Sequence, residues 1–139
     1  MKPSSPRMHL YKQIVDAKLY IDDFYMNAID LELIASRACI SKFHFHRIFK
    51  ACYNKTPHEY LTHLRIKHAK QLLSNGSPTP DVCLTVGFES LSSFCKLFKK
   101  KESVTPAEYR AMTLRQNKLY KHQPLNFIPN GYASYLGWE

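Results

Sequence analysis

Apolar residues return every three or four positions along most of the chain, the period of a helix with one face turned inward. Leu10, Ile14, Ala17, Ile21 and Phe24 mark one face of a first helix. Asp30 stands where it can cap a short second helix carrying Leu31, Ile34, Ala35 and Ala38, and Cys39 and Ile40 make a brief turn. Ser41 caps a third helix with Phe45, Ile48, Phe49 and Cys52 on its inner face. Thr56-Pro57-His58-Glu59 is a capping box with proline at the first helical position. The long helix behind it carries Leu61, Leu64, Ile66, Ala69, Leu72 and Leu73 and stops at Asn75-Gly76. Thr79-Pro80-Asp81 opens a fifth, short helix with Val82, Cys83 and Val86, and Gly87 turns the chain. Ser90 caps a sixth helix with Phe94, Leu97 and Phe98 inside, and Thr105-Pro106-Ala107-Glu108 opens a seventh. The expected fold is all-α, with about seven helices.

Part of this pattern occurs twice. Residues 41–60 and 90–109 align without gaps, and eight of the twenty positions are identical, against roughly one or two by chance. The matches are Ser41/Ser90, Phe45/Phe94, Phe49/Phe98, Lys50/Lys99, Thr56/Thr105, Pro57/Pro106, Glu59/Glu108 and Tyr60/Tyr109. Each copy follows a short helix and a tight turn. Two such units are too few for a solenoid. The chain divides into a first unit (9–55), a connecting helix (56–75), a second unit (76–115) and an aromatic C-terminal extension (116–139).

Composition narrows the class. The 139 residues are 45% hydrophobic and 22% charged, a globular balance long enough to bury a core. Four glycines are too few for a turn-rich β-sandwich or a glycine-rich phosphate loop. No apolar run reaches the about 18 residues of a membrane span, and the N-terminus lacks a secretory stretch, so a cytoplasmic protein is expected. Cys39, Cys52, Cys83 and Cys95 form no CxxC pair and are expected to be reduced, buried thiols.

Charge changes the picture further. Twenty lysines and arginines against 11 acids leave a net +9, which points to a polyanionic partner. The surplus is clustered. Residues 41–55 carry Lys42, Arg47, Lys50 and Lys55 with no acid, and residues 96–101 carry Lys96, Lys99, Lys100 and Lys101 with no acid. Arg65, Lys67 and Lys70 lie on the helix between them, while residues 9–40 are net acidic. On the third helix an outer stripe of Phe43, His46, Arg47 and Lys50 runs off the core. Its equivalent on the sixth is Ser92, Cys95, Lys96 and Lys99. A helix with a basic outer stripe, braced by a shorter helix, suits the major groove of double-stranded DNA. A connector over 57–74 spans about 26 Å, compatible with two reading helices about one turn of B-DNA apart.

Catalytic and metal chemistry fit less well. His44 and His46 point to different helix faces, and His58, His63 and His68 advance by five and drift around theirs. No metal site, cofactor or enzyme activity is expected. Cys95 beside Lys96 is the best placed thiol for a nucleophile or a redox sensor. A protein-interaction module without nucleic acid leaves the two basic stripes unexplained.

The chain resembles the DNA-binding domain of AraC/XylS-type bacterial transcription regulators over about residues 9–112. The motif that carries this most specifically is Val86-Gly87-Phe88-Glu89-Ser90, Phe94, Phe98-Lys99 and Val104-Thr105-Pro106-Ala107-Glu108-Tyr109-Arg110. Ile34-Ala35, Ser41, Phe45, Arg47, Phe49-Lys50, Thr56-Pro57, Tyr60-Leu61 and Arg65 fit the first unit. The resemblance implies two helix-turn-helix units joined by a long helix, with the recognition helices (about 41–52 and 90–101) in successive major-groove segments. Carried over by position, Phe43, His46, Arg47, Leu91, Ser92, Cys95 and Lys96 are the base contacts. Ser41, Lys50, Ser90 and Lys99 are the phosphate contacts. The sequence departs from the family at Cys39, where glycine is common, at Cys83, where alanine packs, and at Asn54 and Ser103 ahead of the capping boxes. With little beyond Lys96, the second helix is expected to read more weakly than the first.

Met1 is followed almost at once by the first helix. The chain therefore resembles the small stand-alone members, which bind asymmetric sites as monomers, contact RNA polymerase and associate with the nucleoid as activators. A DNA-binding domain excised from a larger effector-responsive regulator is the alternative. Tyr120, Phe127, Tyr132, Tyr135 and Trp138 make the extension either a segment packed on the domain or a contact surface.

Overall fold

The computed structural model describes residues 6–122. These form α1 (Pro6–Phe24), α2 (Leu31–Arg37), α3 (Lys42–Tyr53), α4 (Pro57–Ser74), α5 (Thr79–Thr85), α6 (Leu91–Glu102) and α7 (Pro106–His122), with no strand among the described residues. Local chemistry sets most of the boundaries. Asp30 accepts from the Leu33 amide at 3.1 Å, Ser41 from His44 at 3.2 Å, Thr56 from Glu59 at 3.2 Å, Ser90 from Ser93 at 3.3 Å and Thr105 from Glu108 at 3.2 Å. Pro57 and Pro106 are buried at the first helical position, where no amide hydrogen is needed.

The two units have the same interior. Ile14, Ala17, Ile21, Ala35, Phe45 and Phe49 build the first core, and Ile66, Ala69, Leu73, Cys83, Phe94 and Phe98 take the matching places in the second. Each of the four phenylalanines is fully enclosed, which contributes about 1.5–3 kcal/mol per ring. Cys83 fills the place of Ala35 and its thiol faces the Phe88 carbonyl oxygen at 3.7 Å. α4 belongs to both units. Leu61 closes the first core, while Ile66, Ala69 and Leu73 do for the second what α1 does for the first. The connector is thus also the opening helix of the second unit.

Three tight positions use the left-handed backbone without glycine. Cys39 turns between α2 and α3 at φ 55°, and Gly87 makes the matching turn at φ 101°. Asn54 and Ser103 end α3 and α6 at φ 60° and 67°, each donating its amide to the carbonyl four residues back at 2.8 Å.

Some expected positions differ. Phe24 is exposed rather than inward, because the inward stripe steps from Ile21 to half-buried Tyr25, and the Phe24 ring packs on Tyr20 at 4.8 Å. Cys52 is exposed as well, since the buried stripe follows Phe45, Phe49 and half-buried Tyr53 instead. All four thiols are free, but only Cys83 is buried; Cys39 sits exposed in its turn and Cys95 is half-buried. α7 continues through residue 116 to His122, and Tyr120 lies exposed on it. Phe127, Tyr132, Tyr135 and Trp138 lie outside the described residues.

Candidate nucleic-acid interface

α3 and α6 each bury one side and present the other. On α3, Phe45 and Phe49 face inward, which turns Phe43, Arg47 and Lys50 to solvent. Phe43 is 86% exposed, an unusual place for a phenylalanine with no apolar neighbour to cover it. His46 is half-buried with its ring edge toward Phe45, and it borders a cleft shared with His58. On α6, Leu91, Ser92, Lys96 and Lys99 are exposed along the corresponding stripe. Cys95 departs from its expected place on that stripe. It is half-buried against the second core, one position past Phe94.

The serines at the helix starts are engaged locally. The Ser41 and Ser90 hydroxyl oxygens accept from their own helices, and Ser90 also shares a hydrogen bond with Ser92 at 3.1 Å. Each helix N-terminus therefore carries amides and a cap hydroxyl at its exposed start, an arrangement favourable to phosphate.

Packing sorts the basic residues. Lys42 pairs with Glu32 at 2.7 Å and Lys70 with Glu102 at 3.1 Å. Arg65 is held against main-chain carbonyls. Arg47, Lys50, Lys96, Lys99 and Lys100 remain exposed on the two recognition helices. Burial, and then the neighbouring Cys95, push the Cys83 thiol up, which makes that sulfur a poorer nucleophile. Among the described residues no three His, Cys, Asp or Glu side chains gather around a metal-sized site, and no helix is long and apolar enough to cross a membrane.

A family model described as a helix-turn-helix domain matches residues 34–112, which include both turns and both exposed stripes. The chain belongs to the AraC-type helix-turn-helix family. It is 32% identical over 113 residues to the bifunctional transcriptional activator/DNA repair enzyme AdaA of Bacillus subtilis, covering 81% of this chain and 54% of that protein. It is 34% identical over 92 residues to the lactose operon transcription activator of Staphylococcus xylosus, covering 66% of this chain and 33% of that one. The chain spans about half the length of the first two curated relatives, 54% and 58%. Among solved structures, the C-terminal domain of the response regulator AraT from Geobacillus stearothermophilus superposes with a TM-score of 0.67 at 26% identity, covering 80% of this chain and 88% of that one. The DNA-binding domain of AdpA, solved with a target DNA, shares the fold with a TM-score of 0.66 at 23% identity, over 81% of this chain and 96% of that one.

Within this AraC-type domain the two units touch beyond α4. Arg65 is half-buried on α4 and donates to the main-chain oxygens of Tyr25 at 2.7 Å and Asn27 at 2.9 Å, in the loop that leaves α1. The same guanidinium lies 5.6 Å from the Phe88 ring centre in the turn before α6. Burial lowers its pKa, and Glu89 opposes that shift. Gly87 completes the contact: a Cβ there would stand 2.9 Å from the Met26 carbonyl oxygen. Sequence alone places Arg65 on a basic connector, and the structure turns it inward. The signal for its inward place was its spacing, since His58, Leu61 and Arg65 share one face of α4 and line one cleft.

Proposed function

We propose that this chain is a sequence-specific regulator of transcription that reads double-stranded DNA by inserting α3 and α6 into successive major-groove segments. The observation that carries this is the pair of exposed basic stripes at matching positions of two units with matching cores. Arg47 grips a guanine edge, worth about 1–3 kcal/mol of discrimination. Phe43 and Leu91 pack on thymine methyls, and His46, Ser92 and Lys96 complete the base contacts. Cys95 sits close to the groove floor from its half-buried place. Lys50, Lys99 and the cap hydroxyls of Ser41 and Ser90 hold phosphates and set the register.

The chain acts without enzymatic chemistry, as a monomer on an asymmetric site, in the cytoplasm at the nucleoid. It recruits RNA polymerase as an activator. Support for the monomer comes from the two different outer stripes, which read different sequences and have no need of a symmetric partner.

Selection of bound duplexes from a randomised pool at near-physiological salt tests the proposal. One asymmetric site with two short blocks about one helical turn apart is the expected result. Weak, salt-dependent retention without enrichment would overturn it.

A further inference from the structure

A groove of about 860 Å³ opens between α4, the end of α6 and α7, lined by His63, Lys67, Lys70, Lys101, Glu102 and Tyr109 among others. It lies away from the reading surface. On α4, His63, Lys67 and Lys70 share the side opposite Leu61 and Arg65, by the 100° step of the helix. On α6, Lys101 follows Lys96 by five residues, a rotation of about 140°, and so leaves the outer stripe. The cleft on the other side of α4 is the one bordered by Ser90 and Ser93 at the start of the recognition helix.

The groove carries three lysines, Lys67, Lys70 and Lys101, against one acid. Its acid, Glu102, is held by Lys70 at 3.1 Å. Lys67 and Lys101, and Lys55 from the turn after α3, have no carboxylate within ion-pair distance among the described residues. Desolvation at the groove wall, then Lys55, Lys67, Lys101 and Lys70 in that order, hold the exposed His63 imidazole below its usual pKa. Lys67 and Lys70 of α4 and Lys101 of α6 line the same groove, and Lys55 acts on its His63 from the turn after α3. Glu102 offsets one of these charges through Lys70, and a bound anion would offset the rest. Gln71 adds an uncharged donor in the wall.

We infer that this groove binds a compact polyphosphate chain, inorganic or nucleotide-borne, with Lys67 and Lys101 as its main holds and His63 between them. The volume falls within the usual range for small-ligand sites. The site is separate from the DNA-reading stripes, so anion and duplex occupy the protein together. Binding a polyanion there favours a protonated His63, which makes the affinity rise as pH falls. The groups facing that imidazole are Lys55, Lys67, Lys70 and Lys101, with Glu102 already paired.

Calorimetric titration of the full chain with sodium tripolyphosphate and, in parallel, ATP, at about 0.15 M salt, tests this. A single site is expected, weakened about ten-fold or more in Lys67→Ala/Lys101→Ala and changed less than about two-fold in Arg47→Ala/Lys96→Ala. The His63 ring resonances are expected to titrate at higher pH when the anion is present. Equal binding of the two anions assigns recognition to the phosphates. Tighter ATP binding adds a base contact and still supports the site. Binding of neither anion overturns the inference, as does equal loss in both double variants, which would place the anion on the reading stripes. Weaker DNA binding by Lys67→Ala/Lys101→Ala overturns it too, because the groove would then be a duplex contact. Unchanged circular dichroism of each variant separates these outcomes from misfolding.

Discussion

The Arg65 guanidinium donates to the main-chain oxygen of Tyr25 at 2.7 Å, and through that bond the second unit's opening helix grips the first unit's loop between α1 and α2. A second donation to Asn27 and the Phe88 ring on the other side make Arg65 a three-way tie between α4, the loop after α1 and the turn before α6. The two recognition helices are therefore spaced by packing as well as by the length of α4.

Removing the tie separates stability from spacing. Arg65→Ala leaves two carbonyl oxygens without their donor and is expected to cost about 1.5–3 kcal/mol in urea unfolding. Arg65→Lys is expected to recover little, because one ammonium cannot reproduce the fork and the ring contact. Both variants should lose affinity for a two-block duplex while keeping it for a single-block duplex. A base pair inserted between the blocks should penalise the parent more than the variants. Equal losses on both duplexes would show that Arg65 does not set the spacing.

The left-handed positions give opposite signs to similar substitutions. Ser103 has φ 67°, a conformation glycine takes without strain, so Ser103→Gly is expected to stabilise by about 0.5–1 kcal/mol. Gly87→Ala meets φ 101° and the Met26 carbonyl at 2.9 Å, and is expected to destabilise by about 2 kcal/mol or more. Thermal melts of the two variants against the parent measure both. A rise in melting temperature for Gly87→Ala would mean that the Met26 loop yields.

On DNA, Arg47 and Lys99 should part ways. Arg47→Ala is expected to relax preference at one base pair by about 1–3 kcal/mol. Lys99→Ala is expected to weaken all sequences alike and to reduce the salt slope by about one unit. Competition binding with single-base variants, repeated across salt, distinguishes them. If Arg47→Ala kept both sequence preference and affinity, α3 would be docked in a different register.

How far the fold was legible follows from how local each signal is. Phe45 and Phe94, the serine and threonine caps and the two buried prolines act within one helix turn, and each stands where its sequence context places it. The repeat reinforced them, since two copies mark the same positions. Partners distant in sequence were not legible. Arg65 lies 40 residues from Tyr25, and Lys70 lies far from Glu102, so a count of charges placed both on a basic surface. Helix ends were the other gap. Cys52 and Phe24 keep the apolar period, but in each case the next residue, Tyr53 or Tyr25, takes the place against the core. Cys95 errs the other way: its position beside Lys96 suggested exposure, and the second core takes it in.

The junction of α1 with α4 should respond to alkali. The Tyr60 hydroxyl donates to the Asp22 carboxylate, and Lys18 pairs with the other Asp22 oxygen at 2.7 Å and lies 5.9 Å from the Tyr60 ring centre. Partial burial, and then the bond to Asp22, raise the Tyr60 phenol above its ordinary value; the bond to Asp22 raises Lys18 as well. A group with a raised folded-state pKa binds its proton more tightly when folded. Its contribution is complete below the unfolded value, about 10 for tyrosine, and is lost as pH climbs through the folded one. Stability should therefore decline from about pH 10 upward. Tyr60→Phe is expected to cost about 0.5–1.5 kcal/mol at neutral pH and to flatten that decline. Urea midpoints of both proteins between about pH 7 and 11 provide the comparison. Parallel curves across that range would show that the alkaline loss arises elsewhere and that the α1–α4 junction does not depend on the Tyr60 proton.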